Sequence, residues 1–276
     1  MNEKVELLSP AGNLEKLKIA INYGADAVYA GVSHFSLRIR AGKEFTFETF
    51  KEGIDYAHAR GKKVYATING FPFNNQIDLL KKHIEKMAEV KPDGFIVAAP
   101  GVVKLCREIA PDIDVHLSTQ ANVLNYLDAK VFWDLGVKRI VVAREISLKD
   151  VKQIKEHLPD MEIEIFVHGS MCFAYSGRCL VSAVQSGRVP NRGSCANDCR
   201  FEYTLYAEST NQNTLFRLEE EPGVGTYIFN SKDMNLASHI QEILDSGAVD
   251  SLKIEGRTKS PYYAAVTANA YREAID

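Results

Sequence analysis

A short sequence unit that recurs along the chain decides its fold. The first complete copy is residues 23–30, Tyr23-Gly24-Ala25-Asp26-Ala27-Val28-Tyr29-Ala30. A glycine ends an amphipathic segment, and a short run of apolar and β-branched residues follows. The same order returns in Gly61-Lys62-Lys63-Val64-Tyr65-Ala66-Thr67 and in Gly136-Val137-Lys138-Arg139-Ile140-Val141-Val142. Because glycine adopts the left-handed conformation that ends a helix, each unit predicts a helix followed by a buried strand.

Eight strands and eight helices alternate along the chain on this pattern. The strands are expected near residues 5–8, 27–30, 63–67, 94–98, 114–118, 139–143, 162–167 and 251–254. The helices are expected near 13–23, 46–60, 75–91, 100–110, 121–135, 147–158, 233–246 and 260–275. Eight alternations in 276 residues predict an α/β protein, a closed (β/α)8 TIM-type barrel. An open doubly wound sheet is the alternative, but no G-x-G-x-x-G follows the first strand.

One long interval interrupts the alternation, between the seventh strand and the next helix. It contains about 65 residues, which is too long for an ordinary loop. We therefore predict a single barrel domain, residues 1–276, with an insertion at 168–232 on the strand-to-helix side. Within the insertion, residues 203–206 and 227–229 are expected to pair as a small β-element.

Four of the five cysteines fall in this insertion, with the spacing C-x6-C-x15-C-x3-C: Cys172, Cys179, Cys195 and Cys199. Four thiolates can bind zinc or an iron–sulfur cluster. Two disulfides or a catalytic thiol are the other interpretations. Structural zinc sites usually use two C-x2–4-C pairs, and only the last two cysteines are so close, so the spacing favours iron–sulfur over zinc. Cys106 lies on an amphipathic segment and is expected to be an inert core thiol.

Composition and charge exclude some classes of function. The net charge of −3 and the 25% of charged residues do not indicate a general nucleic-acid or membrane binder. Residues 168–203, however, hold four arginines against two acids, which favours an anionic substrate near the cysteines. The N-terminus has no apolar signal core, and no apolar run approaches ~20 residues. We expect a cytoplasmic protein that does not enter a membrane, in a compartment where disulfides are rare.

Polar side chains follow six of the eight predicted strands. Because catalytic residues of (β/α)8 enzymes lie at the C-terminal ends of the strands, these side chains are candidates for one site. They are Ser9, Asn13, Asn69, Gln120, Asn122, Arg144, His168, Glu255 and Arg257. Each also has a structural interpretation: Ser9 and Asn13 as helix N-caps, for example, or His168 as a structural hydrogen-bonding group.

We assign these candidates to two roles. His168 is expected to relay a proton, Arg144 and Arg257 to hold a carboxylate or phosphate, and Glu255 to orient one of the arginines. Substrate binding is expected from Ser9, Asn13, Asn69, Gln120, Asn122 and Arg178. A nucleophilic pair of Cys172 with His168 is the alternative arrangement.

The segment from Glu164 to Ser182, EIFVHGSMCFAYSGRCLVS, resembles the signature of the collagenase-like peptidase family, peptidase family U32. That signature is E-x-F-x2-G-[SA]-[LIVM]-C-x4-G-x-C-x-[LIVM]-S, and every fixed position matches. The segments Leu8–Asn13 and Lys253–Arg257 also match the family, so the resemblance covers essentially the whole chain.

The resemblance implies a function as well as a fold. Family members carry a peptidase label, but better-understood relatives take part in hydroxylating tRNA wobble uridine, a 23S rRNA cytidine or a ubiquinone precursor. Those relatives hold a 4Fe–4S cluster on cysteines, and prephenate is implicated with some of them. The resemblance therefore implies an RNA-modifying enzyme, with a 4Fe–4S cluster on Cys172, Cys179, Cys195 and Cys199 and prephenate as a candidate co-substrate. A collagenase-like peptidase is the alternative.

The resemblance also implies partners. RNA, most of all tRNA, is the expected macromolecular partner, because the arginines near the cysteines suit a phosphate backbone. A small-molecule anion is the other expected ligand. Many family members continue into a further C-terminal domain, so a protein partner or such a domain is expected to assist in docking RNA.

Overall fold

The computed structural model describes residues 5–32, 35–36, 45–176, 178–192, 195–211, 214–218, 226, 228–229 and 232–276. Eleven strands are present among them: β1 (Glu6–Pro10), β2 (Ala27–Ala30), β3 (Lys63–Ile68), β4 (Gly94–Val97), β5 (Asp114–Leu117), β6 (Arg139–Val141), β7 (Glu162–Gly169), β8 (Leu205–Ser209), β9 (Thr214–Leu218), β10 (Met234–Asn235) and β11 (Ser251–Ile254). The α-helices of this part of the chain are α1 (Leu14–Asn22), α2 (Phe47–His58), α3 (Ile77–Glu89), α4 (Pro100–Ile109), α5 (Tyr126–Asp134), α6 (Leu148–His157), α7 (Val181–Ser186), α8 (Ile240–Asp245) and α9 (Pro261–Ile275).

Eight parallel strands close into a barrel. Strands β1 to β7 pair in chain order, and β11 lies between β7 and β1, so the ring has no gap. The predicted (β/α)8 TIM-type barrel is confirmed, and each of the eight predicted strands is present. The pairing of β11 with both β7 and β1 rules out the open sheet.

The helices pack around the barrel with one apolar face inward, and several begin at a capping side chain. Asn13, Asn125, Ser147 and Ser260 each accept a hydrogen bond from a backbone N–H of the helix that follows. Among the described residues, no helix combines the length and apolar character needed to cross a membrane.

Two predicted helices are shorter than the sequence pattern indicated. The helix predicted from residue 121 begins at Tyr126, because Asn122 has a left-handed backbone (φ 57°) that an α-helix does not accommodate. The helix predicted over 233–246 is confined to Ile240–Asp245, and the residues before it form β10 and a short 3-10 turn.

The barrel interior is unusual because it contains buried charge. Interiors of such barrels are usually filled by branched apolar side chains. Here Arg139 bonds to the carboxylates of Glu6 and Glu164, and the Glu6 carboxylate also accepts from the Tyr65 hydroxyl at 2.6 Å. These groups form a polar floor beneath the C-terminal mouth, the end of the barrel where the carboxyl ends of the strands meet.

The insertion contains a helix, a hairpin and several short turns. Strand β8 pairs with β9 in an antiparallel hairpin, Leu205 opposite Leu218 and Ser209 opposite Thr214. The predicted pairing of residues 203–206 with 227–229 is wrong, because the main partner of this segment is β9. The sequence after Ser209 is rich in turn-forming residues, which allow a local hairpin. Tyr203 still bridges to Thr226, whereas residue 227 lies outside the described residues. The division into one domain with an insertion at 168–232 stays a prediction.

Candidate active site

One pocket at the C-terminal mouth collects most of the predicted site residues. Its space is about 1180 Å³ including the part open to solvent, enough for a small-molecule ligand. One wall consists of strand ends, and it includes Asn69, Gln120, Arg144, Glu255 and Arg257. The other wall consists of the insertion, from Ser170 to Arg200, which therefore lies over the mouth.

The four clustered cysteines, Cys172, Cys179, Cys195 and Cys199, all line this pocket. They are free thiols, so the two-disulfide interpretation is not supported. Burial raises the pKa of Cys199, and the neighbouring thiols of Cys172 and Cys195 raise it further. Cys106 lies apart in α4, where burial raises its pKa to about 12. The four thiols therefore lie together at one place in the pocket, and Cys106 is separate from them.

Four thiolates can hold a single zinc ion or an iron–sulfur cluster. Zn–S bonds of ~2.3 Å in a tetrahedral site would place the sulfurs about 3.8 Å apart. In the part of the chain that the structure describes, no three Cys, His, Asp or Glu side chains are arranged to hold one metal ion. The donor set fits either group, because cysteine thiolates are ligands of structural zinc and of iron–sulfur clusters alike.

Arg257 is fixed by hydroxyl groups at the ends of β2 and β3. Its Nη1 donates to Ser36 Oγ at 2.8 Å and to Thr67 Oγ1 at 3.1 Å, and the two hydroxyl oxygens are 2.6 Å apart. Gly31 allows this arrangement, since a Cβ there would lie 2.3 Å from Ser36 Oγ. The guanidinium is therefore held in one orientation at the pocket wall.

Arg144 connects the barrel to the cysteine segment. Its Nη1 donates to Ser176 Oγ, which belongs to the loop between Cys172 and Cys179. Its guanidinium also lies 4.1 Å above the centre of the Phe166 ring. Arg144 and Arg257 thus reach the same pocket from different strands, and both present guanidinium groups suited to a carboxylate or phosphate.

Two predicted substrate-binding residues line the pocket but also hold the barrel together. Gln120 Nε2 donates to the backbone oxygen of Asn69 at 3.0 Å, and its Oε1 accepts from Ser118 Oγ at 3.0 Å. Because both ends of the Gln120 amide are engaged, this side chain fixes the ends of β5 and β3 relative to each other.

Four other predicted substrate-binding residues do not line the pocket. Asn13 caps α1, and its Oδ1 accepts from Lys16 N at 3.0 Å, so the N-cap interpretation describes its position. Ser9 Oγ and Asn122 Oδ1 are buried away from the pocket, without a partner among the described residues. Arg178 is exposed on the insertion. Substrate-binding roles for these residues stay predictions that their positions do not support.

His168 faces away from the pocket because β7 contains an irregularity. Alternation along β7 would place it on the side of Glu164 and Phe166. The pairing with β11, however, passes from Phe166–Lys253 to His168–Ile254, so one extra residue turns His168 to the helix side. Its Nδ1 lies 3.3 Å from the Tyr271 hydroxyl of α9, and burial lowers the His168 pKa. The structure therefore separates His168 from Cys172 and from the predicted catalytic arginines.

Sequence reasoning missed Lys253, which lines the pocket from the same face of β11 as Glu255. Its Nζ lies 2.6 Å from Glu164 Oε1 and 4.5 Å from the centre of the Tyr29 ring. Burial lowers the Lys253 pKa, although the adjacent Glu164 carboxylate opposes that shift. The sequence contained a signal for this position. Lys253, Glu255 and Arg257 are spaced two residues apart, and alternate residues of a strand share a face.

The fold and this site together define a (β/α)8 barrel with a cysteine-bearing insertion at its catalytic end. The family model described as Peptidase family U32 matches residues 12–276, and the chain belongs to that family. The solved structure of the U32 peptidase Mk0906 has a similar fold, with a TM-score of 0.59 and 17% identity over 93% of this chain and 95% of that one.

Curated relatives are much closer in sequence. The "tRNA hydroxylation protein P" of Helicobacter pylori is 72% identical over 100% of this chain and 65% of its own length. The protein of the same name in Escherichia coli is 43% identical over 99% of this chain and 68% of its own. Two more distant relatives are the E. coli "23S rRNA 5-hydroxycytidine C2501 synthase" at 33% and the Porphyromonas gingivalis "Collagenase" at 31% identity. The chain spans about two-thirds of the length of most of these relatives.

Proposed function

We propose that the protein is an iron–sulfur-dependent RNA-modifying enzyme that takes part in hydroxylating a pyrimidine, in tRNA rather than rRNA. The observation that carries this proposal is the convergence of four thiols and two guanidinium groups on one pocket. The names of the relatives at 72% and 43% identity support tRNA as the substrate. We place this activity in the cytoplasm, where tRNA is found.

The donor set supports a 4Fe–4S cluster as the resident cofactor, held by Cys172, Cys179, Cys195 and Cys199. When bound, such a cluster supplies electron transfer beside the substrate. The spacing C-x6-C-x15-C-x3-C, in which only the last two cysteines form a C-x2–4-C pair, favours a cluster over zinc, the alternative. Val181 N–H donates to Cys179 Sγ at 3.4 Å, and such backbone contacts tune thiolate ligands.

The remaining pocket residues bind and orient the substrate. Arg257 and Arg144 approach from two different strand ends of the same wall, so a ligand with two anionic groups can bridge them. Prephenate, a dicarboxylate, fits this requirement as a co-substrate. Lys253 beneath them adds a buried cation, which is compensated by Glu164. The insertion covers the pocket and limits access of water to the bound ligand.

Proteolysis is the competing function, and the relative named collagenase is the observation that favours it. A cysteine peptidase needs a thiolate with an ordered base within hydrogen-bond reach. His168, the base that the sequence suggests for Cys172, packs against Tyr271 of α9 instead. The geometry therefore gives proteolysis less support than RNA hydroxylation.

Anaerobic purification with iron and sulfide analysis tests the cofactor. We expect absorption near ~400 nm, typical of thiolate-ligated iron, that disappears in Cys172→Ser. Cys106→Ala is the matched control, because that thiol is remote from the pocket. Mass spectrometry of tRNA nucleosides from a deletion strain that carries each variant tests the reaction. Normal hydroxylation with Cys172→Ser would contradict the proposal, and peptide cleavage that depends on Cys172 would establish the alternative.

A further inference from the structure

Three aromatic side chains of the insertion are half-exposed, and each belongs to the pocket lining or directly adjoins a lining residue: Phe173 (50%), Tyr175 (57%) and Phe201 (51%). Phe173 itself lines the pocket. Tyr175 directly precedes Ser176, and Phe201 directly follows Arg200, both of which line the pocket. We call these three residues the aromatic rim. Exposed rings at a pocket entrance are informative, because apolar side chains of this size are costly to leave in water.

Local contacts hold the rim residues in place. The Phe173 ring makes an edge contact with the Phe229 ring, with centroids 5.0 Å apart. The Arg178 N–H donates to the Tyr175 carbonyl at 2.8 Å and closes a tight turn. The Phe201 N–H donates to the Asp198 carbonyl at 3.1 Å and ends a 3-10 turn. These contacts hold the Phe173 ring and the backbone that carries Tyr175 and Phe201, so a flat partner can bind the segment at little cost in backbone entropy.

The charge beside the rim is positive. Arg178 is exposed at the other end of the Tyr175 turn, and Arg188 lies partly exposed after α7. Of the two acids within residues 168–203, Asp198 is buried, whereas Glu202 is exposed beside Phe201, so Arg178 and Arg188 stand against one exposed carboxylate. Exposed aromatic rings next to arginines are typical of surfaces that bind single-stranded nucleic acid, because bases stack on the rings and phosphates contact the arginines.

We propose that the aromatic rim is a stacking platform for unpaired bases that flank the nucleotide entering the pocket. This inference rests on the proposed function and names the insertion residues that contact the unpaired neighbours of the modified nucleotide. A base must leave its stack to reach a pocket of this kind, and rings at the opening replace the stacking that its neighbours lose. Arg178 contacts a phosphate of the same strand.

Binding of short RNAs to the anaerobically purified protein tests the platform without measuring catalysis. The probe is a single-stranded RNA that contains 2-aminopurine, whose fluorescence falls when the base stacks on a ring. We expect Tyr175→Ala and Phe201→Ala each to weaken binding about 5- to 150-fold, the effect of losing one base–ring stack. Tyr175→Phe and Phe201→Tyr should restore both binding and quenching.

Tyr23→Ala is the matched control, because Tyr23 is also half-exposed but lies at the end of α1 far from the mouth. Arg178→Ala should reduce the dependence of log K on log salt by about 0.7, the value for one phosphate of a single strand. Circular dichroism melts confirm that each variant is folded.

Three results would overturn the platform. The rim variants could bind single-stranded RNA as tightly as Tyr23→Ala, or the native protein could bind a duplex of equal length as tightly as the single strand. The variants could also keep RNA binding and lose a protein partner instead, which would make the rim a protein interface. In each case hydroxylation that depends on Cys172 would still stand, so the failure of the platform is distinguishable from failure of the proposed function.

Discussion

Lys253 Nζ lies 2.6 Å from Glu164 Oε1 inside the barrel, and the two side chains are only 5% and 0% exposed. Glu164 also accepts from Arg139 Nη1 at 3.2 Å, so one fully buried carboxylate contacts two cations, of which Arg139 has Glu6 as a further partner. Removing two charges from water is expensive, and such an arrangement persists only when each group keeps its partner. Lys253 lines the pocket, and its pair with Glu164 joins β7 to β11.

Lys253→Met should destabilise the protein by about 3–5 kcal/mol, because it removes one of the cations that compensate the buried Glu164 carboxylate. Urea denaturation monitored by circular dichroism measures the change in the free energy of unfolding. Lys51→Met is the control, since the Lys51–Asp55 pair is exposed and should contribute less than about 1 kcal/mol. Adding Glu164→Gln to Lys253→Met should recover part of the loss. Equal small effects for Lys253→Met and Lys51→Met would show that the buried pair is unimportant for stability.

His116 should make the stability of the protein sensitive to mild acid. Burial holds its pKa well below the usual value, and the nearby Arg139 guanidinium lowers it further. Below about pH 6.5 the unfolded chain therefore binds a proton at His116 that the folded protein does not bind. As the pH falls further, the free energy of unfolding decreases by about 1.4 kcal/mol for each pH unit. The loss continues until the pH reaches the folded pKa.

Denaturation of His116→Gln at pH 7.5 and pH 5.5 checks this expectation. The native protein should lose more stability over that interval than the variant, because glutamine does not titrate. Buried carboxylates titrate in both proteins, and the comparison cancels their contribution. Identical losses in the two proteins would show that His116 is protonated in the folded state or that its surroundings relax.

The repeated glycine–strand unit was sufficient to predict the barrel, because alternation and apolar periodicity are local properties of the chain. The cysteine spacing likewise indicated one site, and the structure brings all four thiols to one pocket. The buried network was not predictable in this way. Arg139 meets Glu6 across the barrel, 133 residues away in sequence, and no local pattern encodes that contact.

The errors at the site also have physical causes. Every residue at a strand end was treated as facing the mouth, but one extra residue in the β7–β11 pairing reverses His168. Asn122 was treated as helical, but it adopts a left-handed conformation. Both are single-residue irregularities in backbone geometry, and alternation rules assume that there are none. Lys253 was overlooked although the same alternation rule places it beside Glu255.

His168→Gln should leave RNA hydroxylation within a few-fold of the native level, because the side chain faces α9 and not the pocket. The loss of its contact with the Tyr271 hydroxyl should reduce the free energy of unfolding by about 1 kcal/mol. Nucleoside mass spectrometry and urea denaturation give the two values. A strong loss of hydroxylation with unchanged stability would return His168 to the reaction, as the sequence first suggested.

Arg257→Ala should reduce hydroxylation by at least about 100-fold while the barrel stays folded, because the guanidinium is oriented toward the pocket by Ser36 and Thr67. Arg257→Lys should not restore activity, since an ammonium cannot make two parallel hydrogen bonds to a carboxylate or phosphate. Thr67→Val should have an intermediate effect, because it removes one of the two hydroxyl groups that fix the guanidinium.

Hydroxylated nucleosides in tRNA from complemented deletion strains provide the measurement. Arg60→Ala provides the control, because Arg60 is an exposed arginine that lies on the ring of Tyr56. Full activity in Arg257→Lys would show that only a positive charge is needed there, and full activity in Arg257→Ala would remove Arg257 from the site.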